Sequence, residues 1–271
     1  MPVAKPWRKW GLPSPKSEAS TGKLSFVNYE VYSGIEVHEW PFFVRLDGWR
    51  FHNLTKRLKL KKPFDKRLMT ALANSANAFF VSFDPTLCYI FSDELNFLFL
   101  KPTSFRRIEK IDSVFSGVLS SNTTEIMGTR VAFDCRVIPA GKMNVIPYLI
   151  WRQAECWRNH NNAWAQWTMV ERAGLNPRTA NKRLEGLKVR ELHKLCKTYG
   201  VDLNRTPAWQ RRGVLLFKES YSKRGYDPTA KKLVVVERRR IKVDWTPVEF
   251  DSLKGKIFIR SLMLGKPSSL R

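Results

Sequence analysis

Between two apolar runs of this chain stands Tyr-Ile-Phe-Ser-Asp-Glu-Leu-Asn-Phe-Leu-Phe-Leu, residues 89–100, with Asp93 and Glu94 side by side at its centre. A carboxylate in such surroundings needs compensation from an arginine, a turn of backbone N–H groups or a metal ion. A second acid, Asp47, closes the apolar stretch 41–48 and is followed by Gly48. Phosphoryl transfer with Mg²⁺ uses hard oxygen ligands around two ions roughly 3.5–4 Å apart. Asp47, Gly48 and Asp93 supply such a set, with Gly48 letting an ion approach the backbone. Asp-Gly is also ordinary turn chemistry, so capping is the alternative reading.

Cations accompany the acids. In Phe-Arg-Arg-Ile-Glu-Lys, residues 105–110, Arg107 and Lys110 lie one helical turn apart. They could clamp a triphosphate or form a solvated helix face. Lys62 precedes Pro63 at a helix start, where a phosphate could meet both its ammonium and the helix N-terminus.

The elements that must position these groups follow from periodicity. Residues 41–48 read as a strand, and 63–83 as a helix with Leu68, Leu72, Ala76 and either Phe79 or Phe80 on one face. Runs 88–91 and 95–100 read as a hairpin around the acidic turn. Residues 105–121 form a helix with Ile108, Ile111, Phe115 and Leu119 inward, and 130–139 alternate as a strand. Strand, helix, strand, strand, helix, strand is the split βαβ, ferredoxin-like arrangement of an α+β protein. There the first and third strands are antiparallel neighbours, which sets Asp47 beside the turn bearing Asp93. Beyond 144 the chain reads as helices to Gly200, then as two strands, 213–220 and 232–245, separated by a basic loop. The expected organisation is a Pro/Ser-rich basic extension over 1–34, a ferredoxin-like unit carrying the acids over 35–141, and a helical and β-hairpin region over 142–271.

Lys and Arg number 48 against 24 Asp and Glu, a net charge of +24, so a polyanionic partner is expected. No run approaches the ~18 apolar residues of a membrane span, and the N-terminal residues have no apolar signal core. That favours nucleic acid over a membrane. Cys88, Cys135, Cys156 and Cys196 are widely spaced, without zinc-like companions, as expected of reduced core thiols in the cytoplasm.

Taken in order, Arg-Leu-Asp-Gly-Trp-Arg-Phe-His (45–52), Lys-Pro-Phe-Asp-Lys-Arg (62–67), Ser-Asp-Glu (92–94), Arg-Arg-Ile-Glu-Lys (106–110), Phe-Asp-Cys-Arg-Val (133–137), Tyr-Leu-Ile-Trp-Arg-Gln-Ala-Glu (148–155) and Thr-Pro-Ala-Trp-Gln-Arg-Arg-Gly (206–213) resemble the tRNA-His guanylyltransferase family over about residues 28–255. The resemblance implies a polymerase-like palm that adds nucleotides to the 5′ end of tRNA, growing the chain 3′ to 5′. It implies metal ligation by Asp47, the Gly48 carbonyl and Asp93 with two Mg²⁺, catalysis at Asp47 and Asp93, and support from Glu94. It assigns Phe51, His52, Lys62, Ser92, Arg107, Lys110 and Asn159 to GTP or ATP. It further implies a homotetramer, a dimer of dimers, with tRNA spanning subunits. The chain departs from the family's His-Ile-Asn-Asn at Trp157-Arg158-Asn159-His160, retaining Asn159, and carries Trp49 and Arg50 after the Asp-Gly. The Trp157–Asn162 stretch resembles the guanylyltransferase-like branch and favours templated 5′-end repair over dedicated addition of a single G, while Trp49 and Arg50 stand where the family commonly has small or basic residues and argue against a strict guanine specificity. Arg183, Arg205, Arg211, Arg212 and the 237–242 run are expected to hold the tRNA backbone by charge. Alternatives are a non-catalytic RNA-binding module on the same fold, which gives no reason for acids near phosphates, and a nucleotide cyclase, whose Gly-Gly turn is absent.

Overall fold

The computed structural model describes residues 31–227, 229 and 231–265. The extension expected over 1–34 lies outside them except for its last four positions. A six-stranded antiparallel sheet, in the order β4-β1-β3-β2-β5-β6, organises the chain. Its strands are β1 (Phe42–Gly48), β2 (Leu87–Phe91), β3 (Glu94–Phe99), β4 (Phe133–Pro139), β5 (Val214–Asp227) and β6 (Lys232–Asp244). The first four have the ferredoxin-like order, and β5 continues the sheet on the β2 edge. The sheet thus crosses position 141, where the sequence suggests a change of region.

Helices cover both faces. Helix α2 (Lys66–Phe83) buries Met69, Leu72, Ala76, Phe79 and Phe80, and α3 (Ile108–Met127) buries Ile111, Phe115 and Leu119. Phe79 is central to this face: its ring stacks on Phe97 at 4.1 Å and meets Phe115 edge-on at 5.1 Å. Helix α3 stops at Gly128, which adopts φ 62°. On the opposite face lie the first half of α4 (Gly141–Glu171) and α8 (Leu253–Met263), packed on Phe43, Leu98, Tyr89 and Leu215. With both faces covered, β2 and β3 are buried at every position. That is why their sequence is a continuous apolar run rather than an alternation.

At about 1.5 Å per residue, the 31 residues of α4 extend well past the sheet. Its distal half supports α5 (Pro177–Leu184) and α6 (Val189–Thr198) through Ala165, Leu192, Cys196 and Leu203. Two short helices lie outside the periodic segments: α1 (Phe51–Arg57) and α7 (Ala208–Arg212). The basic loop expected after residue 220 is instead strand as far as Asp227, because β5 pairs with β6 from Leu215 to Asp227. Those residues lack an apolar alternation, and their partner strand holds them extended.

Candidate active site

The register brings the acids together. Asp47 on β1 lies directly opposite Glu94 on β3 and Asp134 on β4. Directly opposed residues share a face, so three carboxylates form one row across the sheet end. Asp93, in the turn before Glu94, joins them through its carbonyl, which accepts the Gly48 N–H at 3.1 Å.

Each acid is compensated differently. Glu94, 8 % exposed, accepts from Arg152 on α4 at 2.9 Å and from Asn96 at 2.8 Å, and the Tyr148 hydroxyl donates to the Asn96 amide oxygen at 2.6 Å. Burial raises its pKa, while Asn96 and Arg152 pull the other way. Asp47 meets Arg45 at 3.2 Å and Arg136 at 3.6 Å, and Arg136 also bridges to Asp134. Asp93 accepts from the Ser92 hydroxyl at 2.9 Å but has no ion pair among the described residues. Burial is the main cause of its raised pKa, opposed by Ser92 and reinforced by the negative charges of Asp47 and Asp134. A half-buried carboxylate with like charges beside it and no cationic partner is the donor chemistry a hard divalent cation satisfies. Among the described residues no three His, Cys, Asp or Glu side chains already form a metal cage. Asp47 is drawn towards Arg45 and Arg136.

Gly48 is required sterically. A Cβ at this position would lie 2.3 Å from the Phe51 ring, which is buried and packs against Phe133. Phe51, expected at the nucleotide, is therefore a core residue that seats the turn. Beside it opens a cavity of about 620 Å³ lined by His52, Lys56, Lys61, Lys62, Ser92 and Asn159, with Phe64 and Trp209 as apolar walls. Four of the seven residues expected at a nucleotide thus share one cavity, adjoining Asp93 through Ser92. The cavity is basic and of nucleotide size.

The helix N-terminus expected to help Lys62 is occupied. Helix α2 begins at Lys66, and the Asp65 carboxylate accepts from the backbone N–H groups of Arg67 and Lys61, both at 2.8 Å, and from the Arg67 guanidinium. The Arg67 side chain holds the Asp65 pKa far below the ordinary carboxylate range. An anion at Lys62 therefore meets lysines rather than free helix donors.

Arg107 and Lys110 stand elsewhere. Arg107 occupies the N-cap position of α3 without a side-chain capping hydrogen bond, and its backbone pairs with that of Glu36, ahead of β1, in an isolated antiparallel β-bridge. The other end of α3 adjoins Gly48: Phe133, opposite Gly48, donates its N–H to Ser120 at 3.1 Å. At about 1.5 Å per residue, Ser120 is ~20 Å along the helix from Arg107. Within one chain these two cations lie at the far end of the sheet from Asp47 and Asp93. Arg183 and Arg205 are exposed, while Arg211 and Arg212 line a separate cavity of about 430 Å³ with Gln153 and Trp157. Burial, then the neighbouring Arg212 charge, lowers the Arg211 pKa.

Sequence reasoning missed Asp134, Arg152 and His160. Asp134 was legible in principle, since a β4–β1 pairing sets it opposite Asp47. Nothing local marks Arg152 as the partner of Glu94. His160 is fully buried, its ring parallel to Trp157 at 5.2 Å and 2.7 Å from the Thr206 hydroxyl. Burial lowers its pKa to about 4, so it is neutral near pH 7.

Comparison with known proteins gives a consistent picture. Residues 26–140 match the family described as tRNAHis guanylyltransferase, and residues 143–250 match the Thg1 C terminal domain. A probable tRNA(His) guanylyltransferase of Drosophila melanogaster is 30% identical over 189 residues, covering 65% of this chain and 66% of the fly protein. The tRNA(His) guanylyltransferase of Debaryomyces hansenii is 29% identical over 217 residues, covering 73% of this chain and 82% of the yeast protein. A bacterial tRNA(His) guanylyltransferase-like protein, solved in complex with ATP, superimposes with a TM-score of 0.70 at 25% identity, over 88% of this chain and 96% of its own.

Proposed function

This chain belongs to the tRNA-His guanylyltransferase family, and from that premise we propose that it is a divalent-metal-dependent nucleotidyltransferase extending the 5′ end of tRNA in the 3′-to-5′ direction. The observation that carries the reading is the junction of Asp47 and Asp93 beside a basic cavity of about 620 Å³. Asp47, the Gly48 carbonyl and Asp93 would hold two Mg²⁺ ions, which supply charge neutralisation at phosphorus and a more nucleophilic oxygen. Lys62 and Ser92 bind nucleotide phosphates, and His52 and Asn159 orient the rest of a GTP or ATP. First, a 5′-phosphate oxygen of the tRNA attacks the α-phosphorus of a nucleoside triphosphate and pyrophosphate leaves. Then the 3′-hydroxyl of an incoming triphosphate attacks the activated 5′ phosphorus and the nucleoside monophosphate leaves. Phe51 shapes the turn from the core rather than touching the nucleotide. The 1–34 extension, the 35–141 palm and the 142–271 region, with Arg183, Arg205, Arg211 and Arg212 on the tRNA backbone, remain the working division of labour. In a homotetramer Arg107 and Lys110 would reach nucleotide phosphates from a neighbouring protomer. None of the described helices is long and apolar enough to cross a membrane, and action in the cytoplasm on templated 5′-end repair is the setting proposed.

The test is incubation with 5′-truncated tRNA, Mg²⁺ and labelled nucleoside triphosphates. Growth at the 5′ end is expected, and Asp47→Ala or Asp93→Ala should bind tRNA, fold, and lose more than the roughly 10–100-fold typical of outer-shell residues. The two losses should not multiply, since both act on one metal pair. Normal turnover by Asp93→Ala would sink the reading.

A further inference from the structure

Trp49 follows Gly48 directly, and 58 % of its surface is open to solvent. A free surface tryptophan would be mobile, but this one is fixed at both ends. Its backbone N–H donates to the Ala132 carbonyl at 2.8 Å, tying it to the chain entering β4. Its ring carries the Arg50 guanidinium 4.5 Å from the ring centre. Arg50 itself adopts the left-handed conformation, φ 55° and ψ 31°, as it starts α1. A non-glycine residue held there is strained, and such strain gathers where a side chain must be aimed. The result is a partly open aromatic ring braced by a cation, one residue from the Asp47-Gly48 pair.

Two substrates must meet at Asp47 and Asp93. The cavity lined by Lys62 and Ser92 takes the nucleotide, and it does not include Trp49. The 5′ end of the RNA must therefore approach along the rest of the turn. In a base-paired acceptor stem that end presents a flat π-face, its terminal base pair, with a phosphate at the edge. A tryptophan ring receives such a face regardless of base identity, and Arg50 adds charge for the adjoining phosphate. We infer that Trp49, with Arg50, is a stacking platform for the terminal base pair of the RNA acceptor stem, setting its 5′ phosphate against Asp47 and Asp93. Trp49 is a positioning residue and takes no part in the bond changes. The inference rests on the proposed function.

The test is equilibrium binding of a blunt-ended acceptor-stem hairpin by fluorescence anisotropy, without nucleotide, so that it reads the platform and not the chemistry. Trp49→Ala should bind about 5- to 150-fold more weakly, the equivalent of ~1–3 kcal/mol of stacking. Trp49→Tyr should restore most of the affinity and Trp49→Leu should not. In turnover, KM for the RNA should rise while KM for the nucleoside triphosphate stays constant. Unchanged hairpin affinity in Trp49→Ala, equal rescue by leucine, or a rise confined to the triphosphate KM would overturn the platform. Those outcomes leave 5′ addition by the unaltered protein intact, whereas failure of the unaltered protein to extend tRNA would strike the proposed function instead.

Discussion

Replacing Arg152 with methionine should expose how the acidic turn is supported. The side chain fills much of the same volume but withdraws the charge from Glu94. Arg152 is 6 % exposed and Glu94 8 %, so water cannot replace the lost partner cheaply. Removing one member of a buried ion pair costs ~3–5 kcal/mol, because the other charge is left uncompensated. Glu94 keeps its hydrogen bond from Asn96 at 2.8 Å, which argues for the lower end, about 3 kcal/mol. For a protein of this size, ~1 kcal/mol shifts Tm by about 2–4 °C, so the melting point should fall by roughly 6–12 °C. Adding Glu94→Gln removes the stranded charge and should recover most of the loss, giving a coupling of about 2 kcal/mol in a double-mutant cycle. Thermal melts followed by circular dichroism, with urea titrations at one temperature, measure all three variants. If Arg152→Met melts within about 2 °C of the parent, or the two changes are simply additive, the pair does not support the turn.

Acid should destabilise the fold through His160. Its pKa falls from 6.5 in the unfolded chain to about 4 in the folded one. The unfolded state therefore binds more protons between these values, and the stability present above pH 6.5 is lost as pH falls towards 4, about 3 kcal/mol in all. Urea midpoints measured across that range should lose this slope in His160→Gln. Gly48→Ala should cost ~1–3 kcal/mol by crowding the Phe51 ring and lower nucleotide addition, with partial recovery on adding Phe51→Leu; an unaffected melting curve would refute the steric account. Affinity for tRNA, measured by filter binding, should drop roughly 10³–10⁵-fold between 50 and 200 mM salt if six to ten phosphates are neutralised. A flat response would remove the electrostatic reading of the +24 charge.

Much of this architecture is legible without coordinates, because local signals and long-range packing agree. Helix α2 shows its 3.6-residue face in Leu72, Ala76 and Phe79, and the apolar runs around Ser92-Asp93 can only be buried strands. The order of those elements then makes β1 and β3 neighbours, which is enough to bring Asp47 and Asp93 together. What the chain alone leaves open depends on contacts between distant residues. Register decides that Asp134 joins the row, since a slip of one residue would turn it to the other face. The position of α4 decides that Arg152 stands against Glu94 as its ion-pair partner. Arg107 and Lys110 look close to the acids along the sequence, yet the length of α3 carries them to the opposite end of the sheet. Composition limits which interactions are possible, whereas burial, register and helix length select among them. Those three exist only once the chain has packed.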